Sequence, residues 1–259
     1  MTTTFSCSPA EDLLHSLGVT SPEEIDLDAI AYHVGVRVRY RPLTGCIARI
    51  IANGDRAIAT IDENCRHERK RFSIGHELGH WHYHRGYGAM CTARDISEGG
   101  RKTKDRERVA NAYAAQLILP EYLVRPAASP APRLSWSLVD QIASEFRASR
   151  HATVLRLIDL NLFPAMVVCH RKSGRAWFRR ARDIPAKWFP QDQLSAETLA
   201  IECVFGCKRS AGVEDVPASA WFDARGADRY EVEEESTVSH AGDVLSLINF
   251  VDDRMLVEG

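Results

Sequence analysis

The pentapeptide His76-Glu77-Leu78-Gly79-His80 constrains the fold of this chain more than any other feature of its sequence. We expect it to lie on a helix that runs from about Phe72 to His84. Residues four positions apart on a helix differ in direction by about 40°, so both imidazoles of the motif lie on one face. Their ring nitrogens can then meet one Zn²⁺ at about 2.0–2.1 Å. The alternative interpretation is a pair of exposed histidines without a metal.

Glu77 adjoins the first histidine, where its carboxylate can face the metal without being a ligand. Zinc lowers the pKa of a water molecule, and a carboxylate in this place accepts the proton and passes it to the leaving amine of a peptide bond. The motif therefore predicts Glu77 as the catalytic base of a zinc-dependent hydrolase. Gly79 has no side chain, so another element can approach the helix closely at that position.

A catalytic zinc needs three protein ligands and one open position. His84 follows His80 by four residues, but it is a poor third ligand. His76 and His84 are separated by about 12 Å along the helix axis, at ~1.5 Å per residue, which is too far for one ion.

Glu107 is the better third ligand. Glu107, Ala110 and Ala114 lie on one face of a second predicted helix, and the small alanines permit close contact between helices. A carboxylate on that face can reach the metal, and Asn111 can hydrogen-bond a ligating histidine. Without the histidine motif, Glu107 would be interpreted as an exposed helix residue.

Two features of the metal centre stay open in the sequence. Two histidines and one carboxylate accept Mn²⁺ as well as Zn²⁺, and only the preference for a tetrahedral open site favours zinc. Tyr83, His84 and Tyr113 are alternative donors to the oxyanion that forms when a peptide bond is attacked.

Composition excludes several classes of protein. The 259 residues are 45% hydrophobic and 26% charged with a net charge of -2, which excludes wholesale disorder and nucleic-acid binding through bulk positive charge. We see neither a signal peptide nor the roughly 18 apolar residues of a membrane helix, so we expect a cytoplasmic protein without a membrane partner. Seven scattered cysteines indicate reduced thiols, and Cys203 and Cys207 are interpreted as core residues rather than a metal pair.

The order of predicted elements indicates an α+β protein. Strands are expected at 36–40, 46–51 and 57–61, the last two joined by Asn53-Gly54-Asp55, which is a strong hairpin signal. A basic turn at 66–71 precedes the motif helix. That patch could bind phosphate or an acidic loop of a substrate.

Later segments suggest further parts of the chain. A glycine-rich loop is expected at 86–102, and the proline-rich stretch 125–133 is the clearest linker. The predicted domains are a catalytic domain at 1–126, a small helical segment at 127–163, and an α+β domain at 164–259.

The helical segment resembles a helix-turn-helix between Val139 and Leu160. Residues 133–160 carry four arginines and three acidic residues, a net charge of +1, which is low for a recognition helix. We therefore favour a structural or protein-recognition role and do not expect direct DNA binding. The acidic run Glu231–Glu235 is interpreted as a solvated edge strand that resists aggregation.

The strings RFSIGHELGHWHYH and ERVANAYAAQLILP resemble the ImmA/IrrE family of metallopeptidases. The matching features are Arg69 to Phe72, His76 to His80, His84, and Glu107 to Pro120, so the resemblance covers roughly the first half of the chain. It implies a reduced thermolysin-like fold with His76, His80 and Glu107 on zinc and Glu77 as the base. Longer members add a helix-turn-helix-like segment and a small sensor-like domain resembling GAF, which matches the organisation here in arrangement only.

The same resemblance implies a function. Family members typically cleave a helix-turn-helix repressor and thereby release stress-response or mobile-element genes. We expect a zinc-dependent endopeptidase with one such protein substrate and a C-terminal domain that binds a small-molecule or other signal ligand. The alternative is a non-proteolytic, metal-containing transcription regulator or partner-binding protein.

Overall fold

A computed structural model describes residues 8–84, 101–206, 208–239 and 241–257, and omits the side chains of 101–103. The chain divides into two compact units. The first comprises Met1–Pro126 with Ile142–Ala152, and the second comprises Ala127–Gln141 with Thr153–Gly259. Helices and strands occur in both units, which confirms the predicted α+β class.

The first unit combines helices with a three-stranded sheet of order β1-β3-β2. Strand β1 runs parallel to β3, and β2 is antiparallel to β3. The elements in chain order are α1 (Pro9–Ser16), α2 (Leu27–His33), β1 (Val36–Arg41), β2 (Ala48–Asn53), β3 (Arg56–Asp62), α3 (His67–Tyr83), α4 (Arg101–Ile118) and α5 (Glu121–Ala128), the last of which extends past Pro126.

The hairpin of this sheet lies where its turn residues predict it. Asn53 of β2 pairs with Arg56 of β3, which leaves Gly54 and Asp55 as the two-residue turn. Gly54 has φ +62°, a conformation that glycine adopts without steric cost. The turn connects β2 to the antiparallel strand β3, and β3 is followed by α3.

Helices α3 and α4 pack against each other unusually closely. A Cβ atom added at Gly79 would lie 2.9 Å from Cα of Ala110, and one added at Gly75 would lie 3.1 Å from Cα of Ala114. The neighbouring atoms belong to the backbone, so they cannot move aside as a flexible side chain would. Two glycines facing two alanines therefore hold the helices close enough for short side chains to meet across them.

Two sequence interpretations of this unit are wrong. Helix α3 begins at His67, so the predicted basic turn at 66–71 is helical after its N-cap residue Arg66. No glycine or proline interrupts this stretch, and burial of Arg71 ties it to the core. The linker predicted at 125–133 also begins inside α5, which is anchored by buried Val124 and Ala128 and includes Pro126.

The second unit is built on a five-stranded antiparallel sheet of order β5-β4-β8-β7-β6. Its core includes Trp188, Trp221 and Phe222, all almost fully buried. The sheet fits the predicted C-terminal α+β domain. The elements are α6 (Trp136–Glu145), α7 (Arg150–Asp159), β4 (Ala165–Arg171), β5 (Gly174–Arg180), α8 (Leu199–Val204), β6 (Ser210–Pro217), β7 (Glu231–Val238), β8 (Val244–Asn249) and α9 (Arg254–Val257), with the first two shared between the units.

The acidic run corrects another interpretation. Strand β7 carries Glu231–Glu235, but it lies between β8 and β6 and is not an edge. Glu234 is completely buried, so the run is not simply a solvated face. Strand β6 was not predicted, because its glycine, proline and acidic residues are uncommon in strands. Because β6 was not recognised, β7 was predicted to be an edge strand.

The helix-turn-helix-like segment forms two helices, α6 and α7. Arg147, in the turn between them, has φ 51°, which is uncommon for a residue other than glycine. Residues 142–152 belong to the first compact unit, and residues 127–141 and 153–163 belong to the second. The division into domains at 1–126, 127–163 and 164–259 stays a prediction. None of the described helices combines the length and apolar character that crossing a bilayer requires.

Candidate metal centre

The two histidines of the motif lie on one face of α3 and point to a common position. Their Nε2 atoms are 3.0 Å apart, and their rings meet edge to face with centroids 4.6 Å apart. His80 is 4% exposed, and the side chain of His76 is 16% exposed. The four-residue spacing therefore brings two ring nitrogens together where solvent still reaches one side.

Helix α4 supplies a carboxylate to the same position. The Oε2 atom of Glu107 lies 3.3 Å from Nε2 of His76, and its Oε1 atom lies 3.2 Å from Nε2 of His80. Ligand atoms at about 2.0–2.1 Å from a tetrahedral zinc are about 3.3 Å from one another. The three side chains could thus hold a metal ion with little rearrangement.

Burial favours the uncharged form of both imidazoles by lowering their pKa values. Burial, with smaller contributions from the neighbouring His76, His84 and Arg106, lowers the pKa of His80 to about 3. Burial also lowers the pKa of His76, against the opposing charge of Glu107. A neutral imidazole keeps the lone pair that a metal requires.

The remaining ring nitrogens are also engaged. Nδ1 of His76 lies 3.0 Å from Oδ1 of Asn111, one turn beyond Glu107 on α4. Nδ1 of His80 lies 3.3 Å from Nδ1 of His84. Such contacts orient a metal-binding imidazole and select its tautomer. The second contact was missed in the sequence, although the four-residue spacing from His80 to His84 is its signal.

Glu77 lies beside these ligands and is 1% exposed. Its Oε2 atom has no hydrogen-bond partner among the described residues. Burial raises the pKa of Glu77 to about 8, and the charge of Glu107 adds to the effect. A nearby divalent cation favours the ionised carboxylate and opposes both causes.

The other aromatic residues of α3 point elsewhere. His82 stacks on Tyr113 with ring centroids 5.4 Å apart, and Tyr83 meets the same ring edge to face. Tyr113 is only 3% exposed, so packing accounts for its position. The oxyanion donor among Tyr83, His84 and Tyr113 stays a prediction, and the predicted loop at 86–102 lies almost wholly outside the described residues.

Residues 31–157 match the sequence model of peptidase family M78, the IrrE N-terminal-like domain. The matched segment contains α3, α4 and the complete ligand cluster. These residues form an IrrE N-terminal-like domain. The predicted resemblance to the ImmA/IrrE family is confirmed, and this domain belongs to a family of metallopeptidases.

A structural comparison supports the fold around the IrrE N-terminal-like domain. A Mycobacterium tuberculosis transcriptional regulator is similar to this chain with a TM-score of 0.61 and 13% sequence identity, over 95% of this chain and 76% of the regulator. At this identity the likeness concerns the fold alone. No curated protein matches the sequence.

The described cysteines belong to no group of metal-ligating side chains. Cys46, Cys65, Cys169 and Cys203 are unpaired thiols. Cys203 is buried, as predicted for a core residue, and Cys207 lies outside the described residues.

Proposed function

We propose that this protein is a zinc-dependent endopeptidase that cleaves a specific protein substrate. The observation that carries the proposal is the convergence of His76, His80 and Glu107, whose ligand atoms lie 3.0–3.3 Å apart. The buried carboxylate of Glu77 next to them, with one unpartnered oxygen, adds the group that peptide hydrolysis requires.

Each residue of the candidate metal centre has a separate role in the proposed hydrolysis. His76, His80 and Glu107 would hold a zinc ion, which supplies Lewis acidity to water and to a peptide carbonyl. Glu77 accepts a proton from the attacking water on its carboxylate and delivers it to the amide nitrogen of the scissile bond. Asn111 and His84 orient the imidazoles through their second nitrogens. Mn²⁺ is the alternative metal for the same ligands.

Membership of the IrrE N-terminal-like family supports our choice of substrate. Its members typically cleave helix-turn-helix repressors, so we propose such a repressor in the cytoplasm as the substrate and release of stress-response or mobile-element genes as the outcome. The second unit, with its separate five-stranded sheet, is the part we propose to receive a signal ligand.

The test measures metal content and cleavage together. The full chain is stripped of metal, reloaded with Zn²⁺ or Mn²⁺, and incubated with the helix-turn-helix repressor encoded beside it. Zinc-dependent cleavage is expected to fall about 10²–10⁴-fold in Glu77→Gln, which removes the base and keeps the shape of the side chain.

Glu68→Gln is the matched control, because it makes the same change about 13 Å away along α3, at ~1.5 Å per residue. It should cleave like the wild type. Normal cleavage by Glu77→Gln would sink the proposed mechanism. A zinc-loaded wild type that leaves a panel of neighbouring repressors intact would shift support to the alternative.

That alternative is a non-proteolytic, metal-containing transcription regulator or partner-binding protein. The structural neighbour described as a transcriptional regulator favours it. It predicts sequence-specific DNA binding by the full chain that survives Glu77→Gln. Absence of DNA binding at low salt, where phosphate contacts are strongest, would count against it.

A further inference from the structure

A pocket of about 400 Å³ lies in the first unit, away from the metal-ligand cluster. It is bounded by α2, β1, the first half of α3 and the turn that carries Arg147, which belongs to the same compact unit. Its charged and polar walls include Asp26, Asp28, Tyr40, Lys70, Arg71 and Arg147. Its volume is within the range of small-molecule sites, roughly 300–1,000 Å³.

The wall residue that is hardest to explain is Arg71. Its side chain is 94% shielded from solvent, since its relative exposure is 6%. Nη1 donates to the backbone carbonyl oxygen of Ile25 at 3.1 Å. Nε and Nη2 have no hydrogen-bond partner in the part of the chain that the structure describes. A buried guanidinium with two unpartnered N–H groups is destabilising, so a native structure that keeps it needs a reason.

The acidic side chains of the pocket do not supply the missing acceptors. Both carboxylate oxygens of Asp28 accept from the hydroxyl of Tyr40, at 2.8 and 3.0 Å. Asp26 caps α2, where its Oδ1 accepts from the backbone N–H groups of Asp28 and Ala29. These carboxylates are therefore committed to holding the pocket wall in place.

A second arginine stands close to the first. Burial lowers the pKa of Arg71 to about 10, and the positive charge of Arg147 is the next cause. Arg147 is exposed and donates from Nη2 to the backbone carbonyl oxygen of Glu23 at 3.2 Å. Asp26 and Asp28 offset part of this repulsion by charge, but neither accepts a hydrogen bond from Nε or Nη2 of Arg71.

We propose that this pocket binds a small organic carboxylate, whose two oxygens accept from Nε and Nη2 of Arg71. These two nitrogens form the side-on fork of the guanidinium, which matches a carboxylate bidentately. Lys70 and Arg147 add positive charge at the pocket wall.

The charge of the pocket selects a monoanion. Lys70, Arg71 and Arg147 are balanced by Glu23, Asp26 and Asp28, so the wall is nearly neutral and a phosphate dianion would meet the three carboxylates. Nε and Nη2 are shielded from water, so the anion reaches them when a wall side chain turns aside. Arg147, which is exposed, is suited to that movement.

The experiment measures thermal unfolding of the full zinc-loaded chain. Acetate, propionate, glutarate and inorganic phosphate are added separately, each against sodium chloride of equal ionic strength. A ligand that binds only the folded state raises Tm in proportion to ln(1 + [L]/Kd), which gives the affinity of each probe.

At least one carboxylate is expected to raise the Tm of the wild type, and its affinity should fall about tenfold or more in Arg71→Lys, which keeps the charge and removes the fork. Arg147→Gly should weaken binding several-fold, and glycine suits the positive φ at that position. Arg66→Lys, the same change outside the pocket, should bind like the wild type. If the carboxylate bound to the zinc ion instead of this pocket, all three variants would be stabilised as much as the wild type.

Three results would overturn the proposal. The first is a wild type that no carboxylate stabilises above chloride. The second is equal stabilisation of the wild type and Arg71→Lys, or of Arg147→Gly if Arg71→Lys does not fold. The third is a larger effect of phosphate than of every carboxylate, which would replace the proposed ligand class.

Discussion

Glu77 in the first unit and Glu234 in the second are both almost completely buried, and the two have opposite surroundings. Glu234 in the second unit is completely shielded, and its carboxylate accepts four hydrogen bonds, from the backbone N–H groups of Leu199 and Ala200, from Nε1 of Trp221 and from Oγ of Ser236. Glu77 in the first unit is 1% exposed, and one of its oxygens has no partner among the described residues.

The difference distinguishes a carboxylate held by structural hydrogen bonds from the carboxylate that we propose as the catalytic base. Burial raises the pKa of both groups, but the four donors to Glu234 work against that cause. Two of these donors are N–H groups at the start of α8, which have no partner within the helix. Glu234 therefore joins β7 to α8 through its hydrogen bonds. Glu77 instead has one carboxylate oxygen that no described residue occupies, so this oxygen can accept a proton from another molecule.

The largest effect should come from the metal ligands beside Glu77. His80→Gln removes one of three converging ligand atoms, so metal content is expected to fall from about one ion per chain to near zero. His82→Gln is the matched control, because His82 stacks on Tyr113 outside the cluster. Elemental analysis after dialysis against a weak chelator measures both. Equal metal content in His80→Gln and His82→Gln would mean that His80 is not a metal ligand.

The next largest effect should come from Glu234→Gln. The glutamine side chain would direct its own N–H groups at the hydrogen-bond donors that now contact the carboxylate of Glu234. The free energy of unfolding is therefore expected to fall by about 3 kcal/mol, the upper range for hydrogen bonds to a charged group. Urea unfolding followed by tryptophan fluorescence gives the value. Glu231→Gln on the same strand is the control, because Glu231 is exposed. A loss no greater than in that control would show that Glu234 is not a structural link.

Asn111→Ala tests the support of the metal site at a smaller scale. Loss of the contact to Nδ1 of His76 is expected to weaken zinc binding about 10–100-fold without abolishing it. Competition with a fluorescent zinc chelator measures the affinity. Asn64→Ala provides the control, since Asn64 lies in the turn after β3 and outside the ligand cluster. Unchanged affinity would mean that Asn111 does not orient His76.

The smallest effect should come from Glu77→Gln when stability is measured instead of cleavage. In the metal-free chain the free energy of unfolding should stay within about 1 kcal/mol of the wild type, because the carboxylate has an unpartnered oxygen and lies near the charge of Glu107. Urea unfolding in parallel with Glu234→Gln sharpens the contrast. A loss as large as that of Glu234→Gln would make Glu77 a structural residue too.

Local spacing predicted which side chains the structure brings together at the candidate metal centre. The histidine motif, Glu107 and Asn111 could be placed because helical geometry brings residues four apart to one face. The hairpin at Gly54 and the strand of β7 were also readable from local residues. The order of strands was not, so the acidic run was mistaken for an edge. The true edge strand beside β7 is β6, which was not recognised because its glycine, proline and acidic residues are uncommon in strands.

The sequence by itself determined which side chains could share one face of a helix, because those relations depend on a rise and rotation that every α-helix has. Only the tertiary structure decided which buried charges have partners. Arg71, Glu77 and Glu234 are all buried, yet among the described residues only Glu234 of these three finds partners for its whole charged group. Partners of that kind come from elements distant in the chain, and desolvation depends on everything packed around the group.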